Sequence, residues 1–235
     1  MKKIAIVPAR SGSKGLKDKN IIDLCGKPLL AYSIEAGVKT GLFEKVILST
    51  DSEKYAEIGR NYGAEVIMRD KQLASDSAPT FVVIENVLQK NNEIDYFVLL
   101  QPTSPMRDDV HVKEAVELFE SNYRLFDFLV SVKEAEHTNA LVKPIGKDNS
   151  LKFFDADFSN YKRQTYKEYS PNGAIFIGKC EAYQKQKHFF GARALAYQMN
   201  AFNSIDIDTE LDYEFACLCM EKKNKQNQDG NRSNI

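Results

Sequence analysis

The stretch "PARSGSKGLKDKN" (8–20) sets Arg10, Lys14 and Lys19 among two glycines and several small residues, directly after a short apolar run. A glycine-rich turn lets backbone N–H groups approach phosphate oxygens, and cations in such a turn suit a triphosphate, which carries about four negative charges. The spacing excludes a Walker A loop, because five residues after Gly12 stands Lys17 where that motif needs glycine. Gly-x-Gly-x-x-Gly is absent as well. A solvated basic turn is the competing reading of this segment alone.

A second chemical signal is "SIDID" (204–208). If this segment is extended, the period of two puts Asp206 and Asp208 on one face at the sheet's edge. Two hard oxygen ligands at that spacing suit Mg²⁺, which takes one or two carboxylates together with phosphate oxygens and water. The alternative, carboxylates that merely favour a helix dipole, accounts for Asp208 better than for Asp206.

Other loops add weaker signals. "RDKQLASDSAPT" offers Arg69, Asp76 and Thr80 with enough hydroxyls to bond a base or sugar, although such a loop is often only polar. Gln101 stands at the end of an apolar strand, where a buried amide is expensive without a partner. Lys162, Arg163 and Lys167 are candidates for holding a carboxylate, against plain surface charge. The three histidines sit in unrelated contexts, and none is assigned to catalysis or metal.

The elements that must position these loops follow an α/β rhythm. "KIAIVPA", "EKVILST", "AEVIMR" and "DYFVLLQ" read as strands, with helices over "KPLLAYSIEAGVK", "SEKYAEIGRNYG" and from Phe81 to about Lys90. The polar segments of this half follow strands, where open α/β sheets place a ligand crevice. Further on, "FDFLVSVKEAE", "LVKPIG" and a short "NGAIFIG" look like strands. The aromatic, charged stretch of about 134–170 reads as an excursion that covers the site or packs on another subunit. "SIDIDTELDYEFACLCMEKK" reads as a strand running into a helix with a Thr209–Asp212 capping box and an apolar face of Leu211, Phe215 and Leu218. Residues 1–221 are expected to form one domain, and the polar residues from Lys222 a disordered tail.

The chain has 235 residues, 43% of them apolar, enough for a sizeable core, and a formal net charge of −1 that argues against a nucleic-acid footprint. The four cysteines show no zinc-type pair. The apolar run before Pro8 is too short for a signal peptide and no stretch approaches a membrane span, so a cytoplasmic location is expected.

Taken in order, "IAIVPARSGSKGLKDKN", "STDS", "LASDSAPT", "LLQPTSP", "RQ…PNGAIFI" and "SIDIDTELD" resemble the acylneuraminate cytidylyltransferases (CMP-sialic acid synthetases), including the CMP-pseudaminic and CMP-legionaminic acid enzymes. The resemblance runs from residue 4 to about 220. It implies a doubly wound, mostly parallel α/β sheet of the nucleotide-diphospho-sugar transferase type, Rossmann-like, with a dimerisation excursion and a homodimeric assembly. It also implies a reaction: CTP and a 2-keto sugar acid give the CMP-sugar and pyrophosphate, with Mg²⁺. By position, Arg10, Ser13, Lys14, Lys19 and Asn20 would serve the nucleotide, with Arg69 and Thr80 on its side. Gln101 and Arg163, with Lys162 or Lys167, would face the sugar acid. Asp206 and Asp208 would hold the metal, and Lys14, Lys19 and Asp208 would carry catalysis. Where some sialic acid enzymes of the family have an arginine before Pro-Asn-Gly, this chain has Ser170. That departure brings pseudaminic and legionaminic acid into consideration, with Kdo as a more distant substrate. The rival readings are a non-catalytic nucleotide-sugar binding protein and a P-loop kinase or NTPase.

Overall fold

The computed structural model describes residues 1–13, 15–70, 79–154, 159 and 167–232, the last of these (226–232) as backbone only. The first strand, β1 (Lys3–Pro8), alternates two apolar sets: Ala5 and Val7 enter one core cluster, Ile4 and Ile6 the other. A strand apolar on both faces belongs in the interior of a sheet covered on both sides. β2 (Asp23–Leu24) and β3 (Lys27–Pro28) form a small antiparallel hairpin that leads into α1 (Leu29–Thr40). β4 (Lys45–Thr50), α2 (Glu53–Asn61), β5 (Glu65–Met68), α3 (Thr80–Gln89), β6 (Tyr96–Leu99) and α4 (Asp109–Ser121) follow in alternation.

Caps explain where these helices begin and end. Ser52 caps α2 by accepting the Tyr55 N–H, and Asp108 caps α4 by accepting that of His111. α1 stops at Gly41, whose φ of 65° is the left-handed conformation glycine adopts without strain.

The second half supplies β7 (Phe128–Glu134), β8 (Tyr169–Lys179), α5 (Cys180–Gln186), β9 (Ala194–Gln198) and α6 (Glu210–Arg232). The seven-stranded sheet has the order β5-β4-β1-β6-β8-β7-β9. β8 pairs antiparallel with both β6 and β7, and the remaining pairs are parallel. The doubly wound, mostly parallel expectation therefore holds. Chain order reverses at β1, which lies between β4 and β6, so the loops after β1, β4, β5 and β6 share one crevice.

Four expectations are corrected. "LVKPIG" forms no strand: a single 3-10 turn spans Asn139–Leu141, and Pro144 has no N–H to give to a ladder. The "NGAIFIG" strand is longer than expected, because β8 starts at Tyr169 and carries a bulge opposite β7. "SIDID" is not a sheet strand: Ser204 ends a 3-10 turn, and Ile205 and Ile207 are buried with Leu24, Leu29 and Met106 instead. Finally, the α6 backbone continues past Lys222 to Arg232; Lys223 Nζ is held by Asp108 Oδ2 at 2.9 Å, and the lysine and glutamines that follow favour a helix.

The apolar face of α6 also differs. Leu211, Phe215 and Leu218 are 73%, 55% and 67% exposed, while Ala216 and Met220 are buried with Tyr213 and Cys217 beside them. Both stripes have helical spacing, so periodicity could not choose between them. Anchoring of Ile205 and Ile207 in the core sets the rotation of the helix. The Thr209–Asp212 capping box does form: the Asp212 carboxylate accepts the Thr209 N–H at 2.7 Å and the Thr209 hydroxyl accepts the Asp212 N–H at 3.3 Å.

Candidate active site

The loop after β1 is fastened to the strand beside it. Ala9 N–H donates to the Ser49 carbonyl at 3.0 Å, and Ser11 gives both its N–H (2.8 Å) and its hydroxyl (2.7 Å) to the Asp51 carboxylate. Burial would raise the Asp51 pKa, but the bonds from Ser11, with Arg69 nearby, hold it below the usual carboxylate value. Further along, Ser13 closes a turn: its hydroxyl donates to the Leu16 carbonyl at 2.6 Å and accepts the Lys19 N–H at 3.0 Å. The buried Asn20 amide donates to the Arg10 carbonyl at 3.0 Å. Ser13 and Asn20 thus shape the loop from within. Lys14 lies outside the described residues.

The loop reaches the acid pair directly. Lys19 Nζ stands 2.8 Å from Asp208 Oδ1, with Lys19 largely covered and Asp208 open. Gly15 lies so close that an added Cβ would meet the Asp208 carbonyl oxygen at 2.8 Å, shorter than any ordinary contact. Asp206 points the other way in exposure. It is half-buried, its Oδ1 is buried with no hydrogen-bond partner among the described residues, and burial raises its pKa, with Asp208 adding to the effect against Thr103 and Lys19. The segment carrying both aspartates is held by the Ile207 N–H, which donates to the Thr103 carbonyl at 2.9 Å.

Arg69, just past β5, is buried, and its Nε and Nη2 have no hydrogen-bond partner among the described residues. Burial lowers its pKa, and the nearby Asp51 opposes that shift. A covered guanidinium with unspent donors beside a cation-bearing loop is suited to an anion or a base edge. Thr80 is the exposed first residue of α3.

On the other side of β1, Gln101 follows β6. Its carbonyl accepts the Ser33 hydroxyl at 2.9 Å and Arg107 Nη2 at 3.2 Å, and Arg107 Nη2 also reaches Ser33 Oγ at 2.6 Å. Burial lowers the Arg107 pKa to about 10, which leaves it charged at neutral pH. The Gln101 side chain lies against Gly173, where an added Cβ would sit 3.1 Å from Gln101 Oε1 and 3.6 Å from Asp206 Oδ2. Gln101 and Asp206 therefore line the same wall.

The predicted basic residues of the excursion are less informative. Lys162 and Arg163 lie outside the described residues, as does Asp76. Lys167 pairs at 3.8 Å with Glu134, both largely exposed, which is the kind of ion pair that contributes little. Ser170 is half-exposed opposite Lys133 in the β7–β8 ladder. Sequence reasoning did not single out Asp51, Ser33, Arg107 or Gly173. Their signals were slight: an acid directly after β4, and a lone arginine after "PTSPM".

An Asp206 oxygen that is buried and unpartnered, beside the open Asp208 carboxylate, fits a hard divalent cation completed by phosphate oxygens and water. Among the described residues no group of three or more His, Cys, Asp or Glu side chains gathers around a point, here or elsewhere, so the two aspartates would need those further oxygens.

Residues 4–229 match the protein family described as "Cytidylyltransferase". The chain belongs to the cytidylyltransferase family. Its relatives include the N-acylneuraminate cytidylyltransferase of Escherichia coli O18:K1:H7, 46% identical over 95% of this chain and 53% of that one. The pseudaminic acid cytidylyltransferase of Campylobacter jejuni is 34% identical over 92% of this chain and 95% of its own. The CMP-N,N'-diacetyllegionaminic acid synthase of Legionella pneumophila is 32% identical, covering 94% and 97%. The chain spans about half the length of the curated relatives it matches first. A solved CMP:2-keto-3-deoxy-manno-octonic acid synthetase complexed with CTP superposes with a TM-score of 0.72 at 16% identity, over 95% of this chain and all of that one, which is a likeness of fold.

Proposed function

We propose that this cytidylyltransferase-family chain joins CMP from CTP to the anomeric hydroxyl of a nine-carbon 2-keto sugar acid and releases pyrophosphate. The observation that carries the reading is the meeting of Lys19 with Asp208 beside the buried, unpartnered Asp206 oxygen, at the carboxyl ends of the parallel strands. The family and the names of the relatives support it.

The hydroxyl attacks the α-phosphorus and pyrophosphate leaves in line, so the protein's work is positioning and neutralisation of charge. Lys19, with Lys14, offers fixed cations to the phosphates, and Arg10 and Arg69 lie on the nucleotide side. Ser13 and Asn20 hold the loop in shape for that contact, as the Asn20 bond to the Arg10 carbonyl suggests. Gln101 orients the sugar acid with Arg163 and either Lys162 or Lys167. Asp206 and Asp208 would hold Mg²⁺, which supplies charge neutralisation at the phosphate oxygens and a lowered pKa for the attacking hydroxyl. Asp206 is a poor general base while it is committed to a metal.

Homodimerisation and a cytoplasmic location belong to the same proposal. Support for the dimer is the exposed apolar set Val142, Ile145, Leu151 and Phe153 between β7 and β8. No helix among the described residues is long and apolar enough to cross a membrane. A second reading keeps the reaction and changes the sugar to pseudaminic or legionaminic acid, favoured by Ser170, which offers no bidentate fork to a carboxylate. Pyrophosphate release from CTP, measured with sialic, legionaminic, pseudaminic acid and Kdo side by side, tests both. Release with one acid selects it, and no release with any of them overturns the enzyme reading.

A further inference from the structure

β7 and β8 fall out of step in one place. Val130 lies opposite Phe176 but Val132 opposite Pro171, so residues 172–175 of β8 face Ser131 alone. Gly173 turns the bulge with a φ of +78°. A bulge takes N–H groups out of the ladder, and buried N–H groups need other acceptors. Here side chains provide them. Ala174 N–H donates to Asn172 Oδ1 at 3.1 Å, and Ile175 N–H to Ser131 Oγ at 2.8 Å. The Ser131 hydroxyl in turn donates to Asn172 Oδ1.

The other end of the Asn172 amide leaves the sheet. Nδ2 donates to Ser204 Oγ at 2.8 Å and lies 3.3 Å from Met199 Sδ, and the Ser204 hydroxyl passes on to the Asn200 carbonyl at 2.7 Å. Asn172, Ser131 and Ser204 are 4%, 0% and 2% exposed, so these bonds form away from water, where an unmet polar group is costly. The amide of Asn172 uses acceptor and donor ends at once. Aspartate would lose the donor and bury a charge, and serine would not span from the bulge to Ser204. The same bulge presents Gly173 to the side chains of Gln101 and Asp206.

We propose that Asn172 is a positioning residue: acting through Ser204, it fixes the 205–208 segment and so the depth at which Asp206 sits beside Gln101. Its consequence for turnover rests on the cytidylyltransfer reading above, whereas the positioning itself is a property of the free chain.

The test compares the full-length chain with Ser204→Ala and Ser131→Ala, by amide hydrogen exchange without ligand and by pyrophosphate release as magnesium is varied. Ser204→Ala removes the link and leaves both bulge amides bonded. The Ile207 amide, which donates to the Thr103 carbonyl, is expected to exchange about tenfold faster. The magnesium concentration for half-maximal rate is expected to rise about tenfold, the scale of one lost hydrogen bond. Ser131→Ala should speed exchange at Ile175 and leave Ile207 unchanged. Unaltered exchange at Ile207 in Ser204→Ala overturns the proposal. So does equal acceleration of both amides in both variants, because the network would then be only a unit of stability. An unmoved magnesium curve alongside faster exchange overturns the link to Asp206. If the parent chain releases no pyrophosphate, the functional reading fails while the exchange comparison still decides the positioning.

Discussion

Lys19 Nζ stands 2.8 Å from Asp208 Oδ1, joining the glycine-rich loop after the first strand to the acid pair before the last helix across 189 positions of sequence. Neither group is placed there for stability: Asp208 is 72% exposed in its side chain, and an ion pair open to water on one side is worth little to folding. Its value lies in bringing a fixed cation and a metal-type carboxylate to one point. Alanine at either position is expected to lower the rate of pyrophosphate release from CTP by about a hundredfold, the scale of one preorganised charge contact. The thermal midpoint should stay nearly where it was. Near-normal turnover by either variant defeats this mechanism.

Asp51 holds the start of the same loop through two bonds from Ser11. Hydrogen bonds to a charged group contribute about 1.5–3 kcal/mol each, so Asp51→Asn should loosen the loop and lower kcat/KM for CTP by about tenfold or more. The KM for the sugar acid should not follow. The sign of the pH effect can be stated as well. The folded-state pKa of Asp51 lies below its ordinary value, so its contribution to stability is complete above about pH 4 and disappears as the pH falls through the lower folded value. Denaturant unfolding at neutral pH and in acid should therefore show a stability gap between parent and Asp51→Asn that closes on acidification. A gap independent of pH would mean that the carboxylate is not what holds Ser11.

What could be read in advance follows from which physical signals are local. β1, β4 and β6 were legible because parallel strands covered on both faces appear as short apolar runs, and the loops after them as breaks in those runs; β5, at the sheet's edge and only partly buried, was legible from its short β-branched run alone. Asp206 and Asp208 were singled out by type and spacing, yet the strand invoked to align them does not exist. Ile205 and Ile207 have strand-like alternation, but they are buried under α6 and not in the ladder. The wrong face of α6 was chosen for a similar reason, since Leu211, Phe215 and Leu218 repeat as regularly as the residues that are buried. Asp51, Ser33 and Arg107 went unnoticed because their roles depend on neighbours 40, 68 and 74 positions away.

Gly15 is a glycine by close approach and not by backbone conformation. The atom a Cβ would strike, at 2.8 Å, is the backbone oxygen of Asp208, which cannot swing aside as a side chain would. Gly15→Ala must therefore push the loop and the acid pair apart. The expected result is a fall in kcat of about tenfold or more, since misplacement of about an ångström at a reacting centre can lose two orders of magnitude. Circular dichroism should be unchanged. Parent-like kcat would show that the loop yields without disturbing Asp208.

Ser33 offers the cleanest separation of the two halves of the site. Its hydroxyl donates to the Gln101 carbonyl and accepts from Arg107, so it locks the end of β6 to α1 from beneath, fully buried. Removing the oxygen leaves Arg107 with its longer bond to Gln101 alone, and Arg107 already has Nε and Nη1 without partners among the described residues. The bond from the charged Arg107 contributes about 1.5–3 kcal/mol, which at roughly 2–4 °C per kcal/mol lowers the melting midpoint of a chain this long by about 3–12 °C. If Gln101 faces the sugar acid, the looser carbonyl should raise the KM for that acid by about tenfold while the KM for CTP stays within about twofold. Steady-state kinetics of Ser33→Ala with each substrate varied in turn makes the comparison. A rise in both constants would indicate general loosening of the crevice, and a rise in the CTP constant alone would place Gln101 on the nucleotide side.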